Sequence, residues 1–402
     1  MRNAYLKCHA LRRDLDITPC ENGESMPWLS TVSWMKRICL LLSALFLLSA
    51  CDYHEPSQMV FAIGMGVERT DDGEYQVCVE IVSMETGSQE TFEPKIAIAT
   101  GKTMLEATSN VRGLIAQRLD FTHCQLILFD GKVAEAGIRS IVKAILDFKE
   151  IDINTLCMVT AGCTPLEVFS TKPLTTRAQS FELRSTFIDE LGIEKATRSS
   201  SVLWLYDSIG EEKGTSILPR VLITESGGRK VTEFNGSVVL RSGKTAGEFT
   251  REEMLFFLIG ADSPRHRILS IPYEGGYFSA QMERSESIIE ATVVNGQVQV
   301  RFAIATEVSY VGDIEPGYTR EEIIAMITGY LRAGLERLMD KALYEVDCDL
   351  YRIAPMLYYR YPAAMEGVSG WLAYLKDARY TYSITIDLQT DERLGVTEGG
   401  NW

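Results

Sequence analysis

Apolar and polar positions alternate with a period of two over several stretches of the chain and with a helical period over others, and the two patterns change places repeatedly. Residues 58–68 and 74–83 are β-rich runs joined across Thr70-Asp71-Asp72-Gly73, which predicts a hairpin, and 95–101 predicts a further strand. Thr103 and Glu106 have the spacing of a capping box and open a helix running towards Leu119. A strand at 125–129, a helix at 132–148, a strand at 155–161 and a short helix led by Thr164-Pro165 follow. Residues 173–193 are helix-compatible. Strands at 216–224 and 230–241 then flank Ser226-Gly227-Gly228, and a second box, Thr250 with Glu253, opens an apolar helix over 254–259. Beyond it, strands are predicted at 268–272, 276–284, 287–294 and 298–310, with Asn295-Gly296 as a two-residue hairpin turn. A third box, Thr319 with Glu322, starts the longest helix, whose Ile323, Ile327, Tyr330, Leu331, Leu335, Leu338 and Leu343 approximate one apolar stripe up to about Tyr344. Short helical pieces at 347–354 and 367–375 and a strand at 379–388 complete the series.

Strands mixed with helices in this way predict an α/β (mixed α+β) chain. The grouping suggests three modules, each a mostly antiparallel or mixed β-sheet flanked by helices. Arg198-Ser199-Ser200-Ser201 has the composition of a linker. The expected boundaries are therefore 51–198 for an N-terminal domain, 199–265 for a middle domain, 266–392 for a C-terminal domain and 393–402 for a tail.

One run obeys neither period. Ile38 to Leu48 is almost wholly apolar, yet falls well short of the roughly 20 residues a spanning helix needs. Lys36 and Arg37 precede it and Leu48-Ser49-Ala50-Cys51 follows, so residues 35–50 have the basic flank, short apolar core and small residues of a secretion signal. A cysteine directly after the small residues is the arrangement of bacterial lipoprotein signals, which makes Cys51 the candidate lipid-attachment residue. The competing reading is a core helix or uncleaved anchor that happens to end in cysteine; Asp52, His54, Glu55 and Pro56 break the run at once and favour the signal. Polar, mixed-charge residues 1–34 precede Met35 and are read as a mis-called N-terminal extension, with Met35 the initiator.

Charge narrows the partners. A net charge of −15 argues against nucleic acid or anionic headgroups as the main ligand, so an acyl chain rather than a basic patch would hold the protein to a membrane. One acyl chain binds only marginally, and several are physically sufficient. An extracytoplasmic location also disfavours chemistry that needs ATP or a nicotinamide. After Cys51 the cysteines are Cys78, Cys124, Cys157, Cys163 and Cys348, an odd set without a Cys-x-x-Cys pair. Neither a disulfide framework nor a zinc site is signalled. Buried small side chains are expected, with a Cys157–Cys163 bridge left open.

The candidates for catalysis are few. His123 stands alone at a strand start and reads as a structural residue. Ser199-Ser200-Ser201 reads as linker. Glu252 and Glu253 are first-turn residues favoured by the helix dipole. Asp347 and Asp349 sit at a helix start, where capping is the simpler role. Gly64-Met65-Gly66 lies inside a strand and precedes no helix, so it marks a bulge or close backbone approach rather than a phosphate loop. No metal or cofactor site is expected.

Several segments, taken in order, resemble the Ger(x)C family, the C subunit of spore nutrient germinant receptors. They are Cys51 with the acidic residues after it, Ile63-Gly64-Met65-Gly66-Val67-Glu68 with Asp72-Gly73-Glu74-Tyr75, and Gly101-Lys102-Thr103-Met104-Leu105-Glu106-Ala107. Phe121-Thr122-His123, Ala134-Glu135-Ala136-Gly137-Ile138, Phe234-Asn235-Gly236-Ser237, Asp347-Cys348-Asp349 and Trp371 extend the likeness to about Asp391. The resemblance implies a non-enzymatic lipoprotein, palmitoylated or similarly acylated at Cys51, on the outer face of the spore inner membrane. It further implies integral-membrane A and B subunits as partners and a role in nutrient-triggered germination, with the nutrient assigned to the complex rather than to this subunit. The alternative carried beside it is a lipid-anchored extracytoplasmic solute-binding protein, for which two similar doubly wound lobes would be expected.

Overall fold

The structure, a computed structural model, describes residues 59–83, 94–191, 200–210, 214–261, 265–312, 317–362 and 370–389. All belong to one compact unit, Glu55–Trp402. Cys51, the signal segment and the residues before it lie outside the described residues.

The first half of the unit holds strands β1 (Met59–Arg69), β2 (Tyr75–Ser83), β3 (Lys95–Gly101), β4 (Arg118–Asp120), β5 (Leu126–Phe129) and β6 (Leu156–Thr160). Its helices are α1 (Met104–Gly113), α2 (Gly131–Ala136), α3 (Arg139–Phe148), α4 (Pro165–Ser170), α5 (Gln179–Leu191) and α6 (Val202–Gly210). Strands β7 (Thr215–Ser226), β8 (Arg229–Arg241) and β9 (Lys244–Phe249) lead to α7 (Arg251–Gly260). The remainder is β10 (Arg265–Tyr273), β11 (Gly276–Val294), β12 (Gln297–Gly312), α8 (Arg320–Asp340), α9 (Ile353–Arg360), α10 (Trp371–Lys376) and β13 (Arg379–Leu388), with a π-helical turn, Lys341–Glu345, closing α8.

Nine strands form one mixed sheet in the order β3-β2-β1-β5-β6-β7-β8-β9, with β4 beside β1. The centre, β1-β5-β6-β7, is parallel, and antiparallel hairpins frame it on both sides. Parallel strands are normally covered on both faces. Accordingly every residue of β5 and β6 is buried. Side-chain alternation sends Ile127, Phe129, Cys157 and Val159 against Val142, Ile145 and Leu205 of α3 and α6. The other face sends Leu126, Leu128, Leu156 and Met158 against Val168, Phe169, Leu183 and Phe187 of α4 and α5.

A second, four-stranded sheet runs β10-β11-β12-β13, antiparallel except for the last pair. The predicted stripe of α8 packs on it, Ile323, Ile327, Leu331, Leu335 and Leu338 being buried in one cluster with Phe278, Val300 and Phe302. The same cluster includes Val239 and Phe249 of the large sheet and Phe256 and Ile259 of α7, so α7 lies between the sheets. A Cβ on Gly334 would meet the Phe256 ring at 2.1 Å, which is why α8 presents a glycine there.

The described residues thus carry two sheets where the sequence pattern suggested three. The strands expected of separate N-terminal and middle units are hydrogen-bonded to each other, β6 to β7 at Val159–Thr160 with Arg220–Val221. The presumed linker serines are the second difference. Ser200 and Ser201 are buried, the Ser200 carbonyl accepts from the Cys157 N–H at 2.7 Å, and Ser201 pairs with Leu156. Polar composition there reflects hydrogen bonds satisfied inside the fold rather than solvent exposure. The helix expected over 132–148 is broken at Gly137, whose φ of 115° no L side chain adopts comfortably. The strands expected at 276–284 and 287–294 are one long strand crossing two register shifts near Met282.

Candidate binding clefts and the motif residues

The glycine motif of β1 lies where the strand meets α4 and α5. A Cβ on Gly64 would stand 2.0 Å from the Ser180 hydroxyl, and one on Gly66 would stand 2.4 Å from Cys78 Sγ and 2.5 Å from Pro165. Across the hairpin on β2, Glu80 is 1% exposed. Its carboxylate accepts from the backbone N–H of Gln179 and of Ser180, both at 2.8 Å, and from the Ser180 hydroxyl at 2.5 Å. A side chain from β2 thereby caps the first turn of α5, where free N–H groups and the helix dipole favour a carboxylate. Burial pushes the Glu80 carboxyl above its usual range, against the pull of the Ser180 and Gln179 bonds. Glu68, on the same face, is pushed up by burial too, with Asp130 and Glu167 adding to it and the 2.5 Å bond from Gln76 opposing.

Two concavities follow from this framework. One, of about 830 Å³, opens beyond the carboxyl ends of β6 and β7, where ligands of parallel sheets commonly bind. Its lining is mixed and carries charges of both signs, Glu167 and Glu225 with Lys172, Arg229 and Lys230. The other, of about 600 Å³, lies among α5, the β7–β8 pair, α7 and β10. Its walls are apolar: Phe187, Pro219, Phe234, Met254, Leu255 and Leu258, with the Phe187 and Phe234 rings 5.8 Å apart. Arg251, Glu252, His266 and Arg267 stand on its lining as the charged and titratable groups.

A bulge shapes this second cleft. Pro219 pairs with Ser237 and Val221 with Phe234, so Asn235 and Gly236 are looped out against Arg220. Gly236 has φ 73°, and a Cβ there would meet the Phe249 carbonyl at 1.9 Å. Arg220 Nε donates to the Asn235 carbonyl at 2.8 Å. The segment Phe234-Asn235-Gly236-Ser237 therefore supplies cleft wall. On the rim, His266 has φ 52° and its Nδ1 lies 2.5 Å from Glu283 Oε2. Bonds from Ser309 first, then from Gln281 and His266, hold the Glu283 carboxyl below its usual range. Glu252 accepts from the Tyr330 hydroxyl at 3.1 Å.

The residues weighed for chemistry have structural partners. His123 is exposed and meets Phe61 edge to face at 5.0 Å. Asp349 accepts from the Ile353 and Ala354 N–H groups at 2.9 and 2.7 Å and so caps α9 from four residues ahead, the helix beginning at Ile353 and not at 347 as expected. Asp347 bridges Arg241 at 2.7 Å and Lys376 at 2.8 Å. Glu253 completes the capping box at Thr250. Ser201 accepts from the Trp204 N–H at 3.3 Å. Cys157 and Cys163 are both free thiols. Among the described residues no three His, Cys, Asp or Glu side chains are grouped to hold a metal ion, and no helix is long and apolar enough to cross a membrane. Glu80 escaped the sequence reading, although a lone carboxylate in the otherwise apolar strand Val77–Val82 was its signal.

Fold and motifs together define a mixed α/β protein built on two sheets. Residues 52–223 match the family model described as spore germination protein N-terminal domain, and residues 235–391 match the one described as spore germination B3/GerAC like, C-terminal. The chain belongs to the Ger(x)C spore germination family. Its fold is similar to that of the crystal structure of the GerBC protein, with a TM-score of 0.53 and 14% identity over 81% of this chain and 97% of that one. No curated protein matches the sequence.

Proposed function

We propose that the protein is the non-enzymatic C subunit of a nutrient germinant receptor, acylated at Cys51 and held on the outer face of the spore inner membrane beside integral-membrane A and B subunits. The observation that carries this reading is the order of the two family models, which match residues 52–223 and 235–391 and begin one residue after Cys51. The motif residues support it in a second way. Gly64, Gly66, Gly236 and Asp349 are used for close packing and capping, as in a scaffold. Acyl chains would confine the unit Glu55–Trp402 to the membrane plane and raise its effective concentration towards membrane partners, so that weak contacts suffice for assembly. A solute-binding protein of two similar lobes is less favoured, since the two sheets have nine and four strands and different topologies. The test is Cys51→Ala in the native spore. Loss of acyl labelling, release from the membrane fraction and weakened nutrient germination are expected; an unlabelled wild-type protein, or full membrane retention and germination in the variant, would overturn the reading.

A further inference from the structure

Glu68, Asp130 and Thr160 form one row across three neighbouring strands at the carboxyl end of the parallel centre. Val67 pairs with Phe129 and Phe129 with Val159, and the Asp130 N–H continues the ladder to the Val67 carbonyl at 2.9 Å. The next residues, Glu68, Asp130 and Thr160, therefore stand side by side, about 5 Å from strand to strand. Val67, Phe129 and Val159 are buried on the α3 and α6 face, so alternation sends the three polar side chains to the α4 face, where Leu156 and Met158 of β6 pack on Val168 and Phe169.

This row is buried and acidic. Glu68 is 7% exposed and Asp130 9%. Hydrogen bonds orient both carboxylates, Gln76 donating to Glu68 Oε1 at 2.5 Å and the Lys132 N–H to Asp130 Oδ2 at 3.0 Å, as is usual for carboxylates that hold an ion. Glu167 of α4 adds its charge to that of Asp130 against Glu68, while its own carboxylate accepts from the Thr164 N–H at 2.8 Å. Thr160 supplies an independent sign of a ligand: it is 1% exposed and its hydroxyl has no hydrogen-bond partner. Adjacent buried carboxylates repel, and an orphaned buried hydroxyl carries a desolvation cost. A water would satisfy the hydroxyl and leave the charges uncompensated. A cation answers both. All the donors are oxygens, which suits a hard ion, and two carboxylates with water completing the shell is the arrangement Mg²⁺ prefers. Gly162, Cys163 and Glu167, just beyond Thr160, line the mixed groove and give the row a way to solvent.

We propose that Glu68, Asp130 and Thr160 bind a partly hydrated Mg²⁺, with Glu167 reaching it through a water. Only two acidic side chains touch the ion, and it ties the ends of β1, β5 and β6 together. The site stands on these residues and requires neither the lipid at Cys51 nor a partner subunit.

The test is calorimetry and thermal melting of the full chain, stripped with EDTA and titrated with MgCl₂ at neutral pH and physiological salt. One Mg²⁺ per chain is expected, with a melting temperature that rises with MgCl₂. Glu68→Gln and Asp130→Asn are each expected to weaken binding at least about tenfold; asparagine can still cap α2 at position 130, so that variant should fold. Thr160→Val keeps the shape of the side chain, removes the orphaned hydroxyl, and is expected to weaken Mg²⁺ binding without lowering the metal-free melting temperature. No saturable binding up to about 10 mM MgCl₂, which is the result if the carboxylates merely share a proton, would overturn the proposal. Unchanged affinity in Asp130→Asn or in Thr160→Val, or tighter binding of Zn²⁺ through Cys163 than of Mg²⁺, would do the same. None of these results bears on membrane retention or acylation at Cys51, so the two readings fail separately.

Discussion

Glu80 and Ser180 stand 100 residues apart in sequence, and the Glu80 carboxylate accepts both the backbone N–H of Ser180, at 2.8 Å, and its hydroxyl, at 2.5 Å. The contact ties the β1–β2 hairpin to α5 across the face of the large sheet. Replacing Glu80 by Gln places an amide N–H₂ against a backbone donor, and the expected loss is about 1–3 kcal/mol of unfolding free energy. The pH dependence has a defined sign. Burial raises the folded-state pKa of Glu80, so its contribution is fully present below the unfolded value of 4.5 and declines as pH rises through the folded value. Denaturant titrations should therefore show the gap between wild type and Glu80→Gln narrowing from acid to neutral pH. A gap that widens would contradict the assignment.

Gly64→Ala adds one methyl group where the Ser180 hydroxyl leaves 2.0 Å. Overpacking of this kind costs about 1–3 kcal/mol. Gly113, at the end of α1, has nothing within 4 Å of the equivalent position, and Gly113→Ala should be neutral or stabilising by up to about 1 kcal/mol. Paired melting curves check the contrast.

Lys341 Nζ lies 2.8 Å from both carboxylate oxygens of Glu253, which also accepts from the Thr250 N–H at 2.7 Å. One carboxylate thus closes the N-terminus of α7 and pins the C-terminal end of α8. Burial acts to raise the Glu253 pKa, but the bonds from Lys341 and Thr250 outweigh it and the net direction is down. Its stabilisation is present above pH 4.5 and lost as pH falls through the lowered value. Lys341→Met should cost about 1 kcal/mol at neutral pH, the discount reflecting that about a quarter of each side chain faces solvent. The difference from wild type should shrink in acid.

The described thiols should be slow nucleophiles. Burial pushes Cys124 and Cys348 up to about 12, and raises Cys78, Cys157 and Cys163 as well. Disulfide-exchange reagents at pH 8 should modify Cys124 and Cys348 roughly a thousandfold more slowly than the unfolded chain. Cys163, half-buried on the lining of the polar groove, should react first among Cys78, Cys124, Cys157, Cys163 and Cys348. Mass-resolved labelling reads the order.

Local signals were legible where one residue and its near neighbours decide the conformation. Thr250 with Glu253 and Thr319 with Glu322 close as reciprocal boxes, and Asn295-Gly296 turns with φ 51° and 80°. Thr103 caps as expected, but Glu106 reaches one residue further back, to the Lys102 N–H. Thr164 carries a full box with Glu167 that its Pro165 had overshadowed. Long-range pairing was not legible. Nothing local in Val159–Thr160 or Arg220–Val221 announces that these strands meet, and β9 and α6 were hidden in segments whose burial is set by neighbours distant in sequence. The cleft was half legible: Phe234 to Ser237 stood out as a motif, whereas Arg251, Arg267 and Phe187 reach it from α7, β10 and α5.

The two family models part company between residues 223 and 235, and those positions sit on opposite arms of the β7–β8 hairpin, which is laddered down to its Ser226–Arg229 tip. A cut at that seam would leave each half with a raw sheet edge, β7 on one fragment and β8 on the other. Co-expressed pieces would then be drawn back together by the missing ladder, whereas either one made alone would offer its open strand to any other chain within reach.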